Sequence, residues 1–112
     1  MNILVTGGAG FIGSNFLNLM VPRHPEHRFI NVDKLTYAAN LENLVGIANR
    51  DNYRLERVDI ADAEATSDLF ERTRPQMVVH FAAESHVDRS IHSPETFIQT
   101  NINGTFHLLE AF

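Results

Sequence analysis

Cysteine is missing from this sequence, which rules out disulfides and thiolate metal sites and fits a reducing compartment. No apolar stretch approaches the roughly 20 residues that a membrane-spanning helix needs. The chain does not open on a basic segment, and its first apolar run meets glycine at position 7, which argues against a signal peptide. Positive charge is in short supply. Nine Lys and Arg against fourteen Asp and Glu leave a formal charge of −5, so nothing electrostatic draws the chain to nucleic acid or an anionic membrane. Linkers, repeats and low-complexity tracts are also lacking. What remains is 112 residues, 44% apolar and 21% charged, a composition that supports one core and at most one globular domain. A soluble cytoplasmic protein is the expectation.

Four short apolar runs alternate with segments of helical spacing. The run Asn2 to Thr6 (NILVT) is apolar on both faces, as in a fully buried strand. From Phe11 the spacing turns helical through Phe16, Leu17, Leu19 and Met20, and Pro22 and Pro25 are expected to close that helix. Arg28 to Asp33 (RFINVD) reads as a second strand ending in an acid, and Leu41 to Ala48 as a short helix. Tyr53 to Ile60 alternates like a third strand, and Asp62 is placed to cap a helix over 63–73 with Ala65, Leu69 and Phe70 inward. Met77 to Ala83 (MVVHFAA) reads as a fourth strand. Ser93, Pro94 and Glu95 then start a last helix whose expected core stripe is Phe97, Ile98, Ile102, Phe106 and Leu109. This order predicts an α/β fold: a doubly wound parallel sheet of the Rossmann type, of about four strands in the order 3-2-1-4. The last helix runs to Phe112 without a glycine or proline stop, so the fold is expected to be truncated there.

The glycines are the most specific feature. Gly7, Gly8, Gly10 and Gly13, four of the six, crowd between the first strand and the first helix in LVTGGAGFIGSN. A helix N-terminus offers unpaired N–H groups and about half a positive charge, and a backbone without Cβ atoms can approach a pyrophosphate closely. The spacing reads as G-x-G-x-x-G from Gly8 or as G-x-x-G-x-x-G from Gly7. Twenty residues past Gly13, at the end of the next strand, stands Asp33, placed to accept hydrogen bonds from an adenosine ribose and to repel a 2′-phosphate. NAD is therefore expected over NADP, although Lys34 beside it could tolerate a phosphate. A P-loop is excluded, because no Gly-Lys-Ser/Thr follows. The plainer alternative is a glycine turn that merely packs closely.

The stretch TGGAGFIG (Thr6 to Gly13) resembles the extended short-chain dehydrogenase/reductase superfamily, which binds its cofactor through T-G-x-x-G-x-x-G. VDKLTYAANLENL (Val32 to Leu44), HFAAESHVDRSI (His80 to Ile91) and FIQTNINGT (Phe97 to Thr105) narrow the resemblance to the dTDP-glucose 4,6-dehydratase family, over essentially the whole chain. The resemblance implies that residues 1–112 are the N-terminal portion of an NAD-binding domain. It implies that Gly7, Gly10, Phe11, Ile12 and Gly13 meet the pyrophosphate, while Asp33, Lys34, Leu35 and Thr36 surround the ribose. It places Asp59 and Ile60 at the adenine, and Phe81, Ala82, Ala83, Ser85 and Thr100 toward the nicotinamide, with Ser85 also facing the sugar. Phe81 stands where leucine is commoner. The implied chemistry is oxidation of the glucose C4 by NAD, loss of water across C5 and C6, and return of the hydride to C6. The substrate is then dTDP-glucose, and the complete enzyme a homodimer.

The superfamily's catalytic tyrosine is followed by a lysine at the fourth position. Here Tyr37 is followed by Leu41 and Tyr53 by Arg57, so no catalytic residue is assigned. The family's Thr-Asp-Glu triplet and its sugar-nucleotide domain also have no counterpart, and the chain alone is expected to bind NAD weakly if at all and to turn nothing over. His24, His27, His80, His86, His92 and His107 show no recognised zinc spacing, so no metal site is expected. His86, Asp88 and Arg89 are expected to shape their loop or an interface. The alternatives are a related nucleotide-sugar epimerase or UDP-sugar dehydratase, and a dinucleotide-binding module without chemistry.

Overall fold

A computed structural model describes residues 1–35, 40–82, 95 and 98–112, apart from the side chain of Thr100. Four parallel strands form one sheet, β1 (Asn2–Thr6), β2 (Arg28–Val32), β3 (Tyr53–Glu56) and β4 (Met77–His80), in the order β3-β2-β1-β4. The chain passes from β1 outward to β3 and then returns to the far side of β1. The switch point lies at the carboxyl ends of β1 and β4, where open α/β sheets bind ligands.

Side-chain alternation divides the core between the two faces. Ile3, Val5 and Phe29 pack under the helix α1 (Phe11–Arg23), with Leu17, Val21, Leu44 and Ile47. Leu4, Ile30 and Val32 face the other way, onto Ile60 from the loop after β3, Leu69 and Phe70 from α2 (Ala63–Thr73) and Leu108 from α3 (Thr105–Ala111). Apolar neighbours on both faces explain why β1 reads as an unbroken hydrophobic run.

Local chemistry sets most boundaries. Asp62 caps α2 by accepting from Ala65 N–H at 3.0 Å, a contact worth about 1 kcal/mol. Thr66 and not Ala65 is the fully buried residue of that turn, because its hydroxyl bonds the Asp62 carbonyl at 2.8 Å and so carries no unpaired polar atom inward. Pro22 lies inside the last turn of α1, which ends at Arg23, and does not close it. A proline there forfeits one hydrogen bond to Asn18 and keeps helical φ. The stretch after Asn40 is a 3-10 helix, Leu41–Leu44, followed by turns, shorter than the helix expected to Ala48.

Two strands are also shorter than their apolar patterns. β3 stops at Glu56, paired with Val32, and β4 stops at His80, paired with Thr6, because their neighbours end there. The expected core stripe of the last helix is overturned. Ile98, Ile102, Phe106 and Leu109 are exposed, and Gly104 and Leu108 face inward. A π-helical stretch, Gln99–Gly104, precedes α3, and its wider turn rotates the helix. Phe97, Ser93 and Pro94 lie outside the described residues.

Candidate dinucleotide site

The glycine turn is held from three sides. Gly7 leaves β1 at φ +71°, its N–H donates to the Val32 carbonyl at 2.8 Å, and a Cβ there would lie 2.6 Å from Ala82 N. A side chain at Gly8 would overlap the Asn31 amide and the Leu17 side chain. One at Gly13 would strike the Gly7 carbonyl and stand 2.8 Å from Gly8 Cα, so α1 rests directly on the turn. Gly10 differs: its nearest obstacle is the Gly7 carbonyl oxygen at 3.4 Å. Protein packing therefore explains Gly7, Gly8 and Gly13 and leaves Gly10 unexplained. Its missing Cβ clears only the outer face of the loop.

Gly10 is also the N-cap of α1, with no side-chain cap and no acid in the first turn. The N–H of Ser14 bonds the Gly10 carbonyl at 2.9 Å, and those of Phe11, Ile12 and Gly13 find no acceptor among the described residues. Phe11 and Ile12 are 79% and 67% exposed and stand on the rim of this mouth.

Asp33 follows β2 by one residue, is 9% exposed, and turns its carboxylate to the glycine loop. Its Oδ2 accepts from Ala9 N–H at 3.1 Å and its Oδ1 from Leu35 N–H at 2.7 Å. Each carboxylate oxygen keeps a further lone pair. Leu35 adopts φ +60°, an uncommon conformation for a leucine, and Asn40 N–H donates to the Ala9 carbonyl at 2.9 Å, which ties the segment after β2 to the glycine turn. Lys34 is half-buried between them. Thr36 lies outside the described residues.

The adenine-side assignments divide. Asp59 and Ile60 fall in the loop beyond β3, not at its end. Asp59 Oδ1 accepts from Ala61 N–H at 2.9 Å, and the Ile60 side chain is core, packed against Leu69, Phe70 and Gly104. Only the backbone of Ile60 can therefore face a ligand, and its carbonyl already accepts from His107 Nδ1 at 2.8 Å. Beyond β4, Phe81 N–H donates to the Thr6 carbonyl at 2.9 Å, its ring packs on Phe16, and Ala82 lies against Gly7. Ala83, Ser85, His86, Asp88 and Arg89 lie outside the described residues, and Thr100 is placed only as backbone in the π-helical stretch.

Sequence reasoning missed the polar groups under the site. Thr105 Oγ1 donates to the Asn101 carbonyl at 3.0 Å, so it accepts from His80 Nε2–H, also at 3.0 Å. Neutral His80 then accepts at Nδ1 from the Thr6 hydroxyl at 2.6 Å, and Thr6 Oγ1 in turn accepts from Ala82 N–H at 3.2 Å. This chain of bonds links β1, β4 and α3 and gives the threonine before the first glycine a structural task. Burial holds the His80 pKa below 6.5. Behind Gly8, buried Asn31 donates to the Tyr53 hydroxyl at 3.1 Å, and burial pushes that phenol's pKa upward. The signal for His80 and Asn31 was available in one respect: each is a polar residue inside an apolar strand.

The family model described as GDP-mannose 4,6 dehydratase matches residues 4–112. The chain belongs to this family. Within the GDP-mannose 4,6-dehydratase family it is 53% identical over 111 residues to the dTDP-glucose 4,6-dehydratase of Shigella flexneri, which covers 99% of the chain and 30% of that protein. It resembles the crystal structure of DesIV, a dTDP-glucose 4,6-dehydratase from Streptomyces venezuelae with NAD and TYD bound, with a TM-score of 0.87 at 43% identity, over 99% of this chain and 35% of that one. It also resembles the UDP-glucose 4-epimerase of Thermotoga maritima with UDP-glucose, with a TM-score of 0.85 at 38% identity, over 99% of this chain and 33% of that one. The chain thus spans about a third of the length of the proteins it matches.

Two outcomes follow from this geometry. Gly13→Ala is expected to destabilise the fold by about 1–3 kcal/mol through overpacking, whereas Gly10→Ala costs at most about 1 kcal/mol and impairs dinucleotide binding instead. Urea unfolding and ligand titration of both variants separate the two effects. For His80, the folded pKa lies below the unfolded one, so its contribution to stability is complete above pH 6.5 and is lost as pH falls below that value. The imidazole is partly open to solvent, so the effect is small. Chemical denaturation at pH 7.5 and 5.5 (about one unit either side of the ordinary His range) is expected to show a larger loss for the native chain than for His80→Gln; equal losses contradict the assignment.

Proposed function

We propose that this chain is the NAD-binding, N-terminal portion of a dTDP-glucose 4,6-dehydratase. The observation that carries the reading is Gly10: it is the loop glycine that packing does not require, and it opens onto unpaired amide N–H groups at a helix N-terminus. A diphosphate fits there, because it brings negative charge and acceptor oxygens to donors that have none. Asp33 fits an adenosine ribose, with two oxygens already oriented by Ala9 and Leu35 and lone pairs left for its hydroxyls. Gly7, Gly10, Phe11, Ile12 and Gly13 are the proposed diphosphate contacts, Asp33, Lys34, Leu35 and Thr36 the ribose contacts, and Asp59 and the Ile60 backbone the adenine contacts. Phe81, Ala82, Ala83, Ser85 and Thr100 are proposed toward the nicotinamide, with Ser85 also at the sugar.

Bound NAD supplies a reversible hydride acceptor, and the protein's part is to hold and orient it. Here that part falls to the glycine loop and Asp33. We place the acid–base residues and the sugar-nucleotide site in the portion of the relatives that this chain does not match. The working enzyme is proposed to be a cytoplasmic homodimer; the exposed stripe of Ile98, Ile102, Phe106 and Leu109 supports self-association. Among the described residues, no helix is long and apolar enough to cross a membrane.

Ligand-observed NMR with NAD and NADP tests the reading. The native chain is expected to bind NAD weakly and NADP more weakly still, and Asp33→Ala to lose roughly tenfold or more in NAD affinity, since hydrogen bonds to a charged group contribute about 1.5–3 kcal/mol. Equal binding of NAD and NADP by the native chain contradicts the role of Asp33. Conversion of dTDP-glucose by the 112-residue chain alone contradicts the division of catalytic labour.

A further inference from the structure

His24 and His27 follow none of the common zinc spacings, and only the turn between α1 and β2 brings them together. Backbone and side-chain hydrogen bonds build that turn. His24 N–H closes α1 on the Met20 carbonyl at 3.0 Å, and His27 N–H donates to the His24 carbonyl at 3.0 Å, the bond that defines a four-residue β-turn. Pro25, second in the turn, fixes its own φ near the value the turn needs. Asn52 braces the outside, donating to the Val21 carbonyl at 2.9 Å and to that of His24 at 3.1 Å. First and fourth residues of such a turn lie side by side, and here both are histidines, with Glu26 between them in sequence.

The three side chains converge on one point. Glu26 Oε1 lies 3.1 Å from His24 Nδ1 and 3.8 Å from His27 Nε2, and one donor atom from each residue falls within 4.8 Å of the others. Bonds of about 2.0–2.2 Å in a tetrahedral zinc site place neighbouring donors about 3.4 Å apart, so these separations need little adjustment. The rings of His24 and His27 are stacked, with centroids 5.8 Å apart. On its other side His27 Nδ1 lies 3.3 Å from the Met1 amino nitrogen.

We propose that His24 Nδ1, Glu26 Oε1 and His27 Nε2 form a surface site for a divalent transition metal of the zinc class, with water completing the shell. Two imidazoles and one carboxylate select borderline ions such as Zn2+ or Co2+ over Mg2+ and Ca2+, which prefer oxygen donors. The site lies beside the amino end of β2, whereas the glycine loop and Asp33 lie at the carboxyl ends of β1 and β2. It does not depend on the dinucleotide reading.

Calorimetric titration with Zn2+, and the visible absorption of added Co2+, test the proposal on the 112-residue chain. One equivalent is expected to bind at micromolar concentration, with no response to Mg2+. His24→Ala, Glu26→Gln and His27→Ala each are expected to weaken binding by roughly tenfold or more, since even a lost outer-shell partner costs about that much. All three side chains are at least partly exposed, so folding should persist, as circular dichroism can verify. Absence of binding overturns the proposal, and so does zinc binding that is unchanged in the His24→Ala/His27→Ala double variant.

Discussion

Everything at the carboxyl edge of this sheet depends on one close approach. The first turn of α1 lies directly on the end of β1, with the Gly13 backbone against the Gly7 carbonyl and no side chain between them. That contact lifts the helix N-terminus to the switch point of the sheet and leaves its first amide groups facing outward. It also restricts what the turn can contain. Gly7 holds a positive φ beside Ala82, and Gly8 covers the Asn31 amide. Substitution at these places disturbs the fold directly, whereas at Gly10 a Cβ would meet nothing closer than the Gly7 carbonyl oxygen at 3.4 Å.

Polar groups then lock this arrangement from beneath. Asp33 gathers the amides of Ala9 and Leu35, so the turn after β1 and the segment after β2 move together. The Thr6 hydroxyl does the same for β4 by way of Ala82 and His80. Both devices are side chains that satisfy backbone or ring nitrogens at strand ends, where the ladder stops and donors would otherwise be left over. A carboxylate held in this way is preorganised: a ribose that binds it has little side-chain freedom left to remove.

The sequence revealed most where a local rule fixes the outcome. Asp62 and the helical spacing behind it set α2 at 63–73 because a cap acts within its own turn. The glycine turn between β1 and α1 was legible for the same reason. Strand ends were not, since β3 and β4 stop where β2 and β1 stop, and a strand's own residues do not record the length of its neighbour. The last helix misled most. A regular spacing over Ile98, Ile102 and Phe106 places one face inward, but a π-helical turn shifts the inward face to Gly104 and Leu108. Ile60 shows a related difficulty, because a residue next to a ligand region can still send its side chain into the core.

The central claim is that the mouth between residues 7 and 13 receives the phosphates of a dinucleotide while Asp33 takes its ribose. Amide 1H–15N shifts of the labelled chain, followed during an NAD titration, address it most directly. The account predicts that the largest changes fall on the amides of Gly10, Phe11, Ile12 and Gly13 and on those of Asp33 and Leu35. Shifts that leave these amides in place while others move, or no shift at all at millimolar NAD, would contradict it.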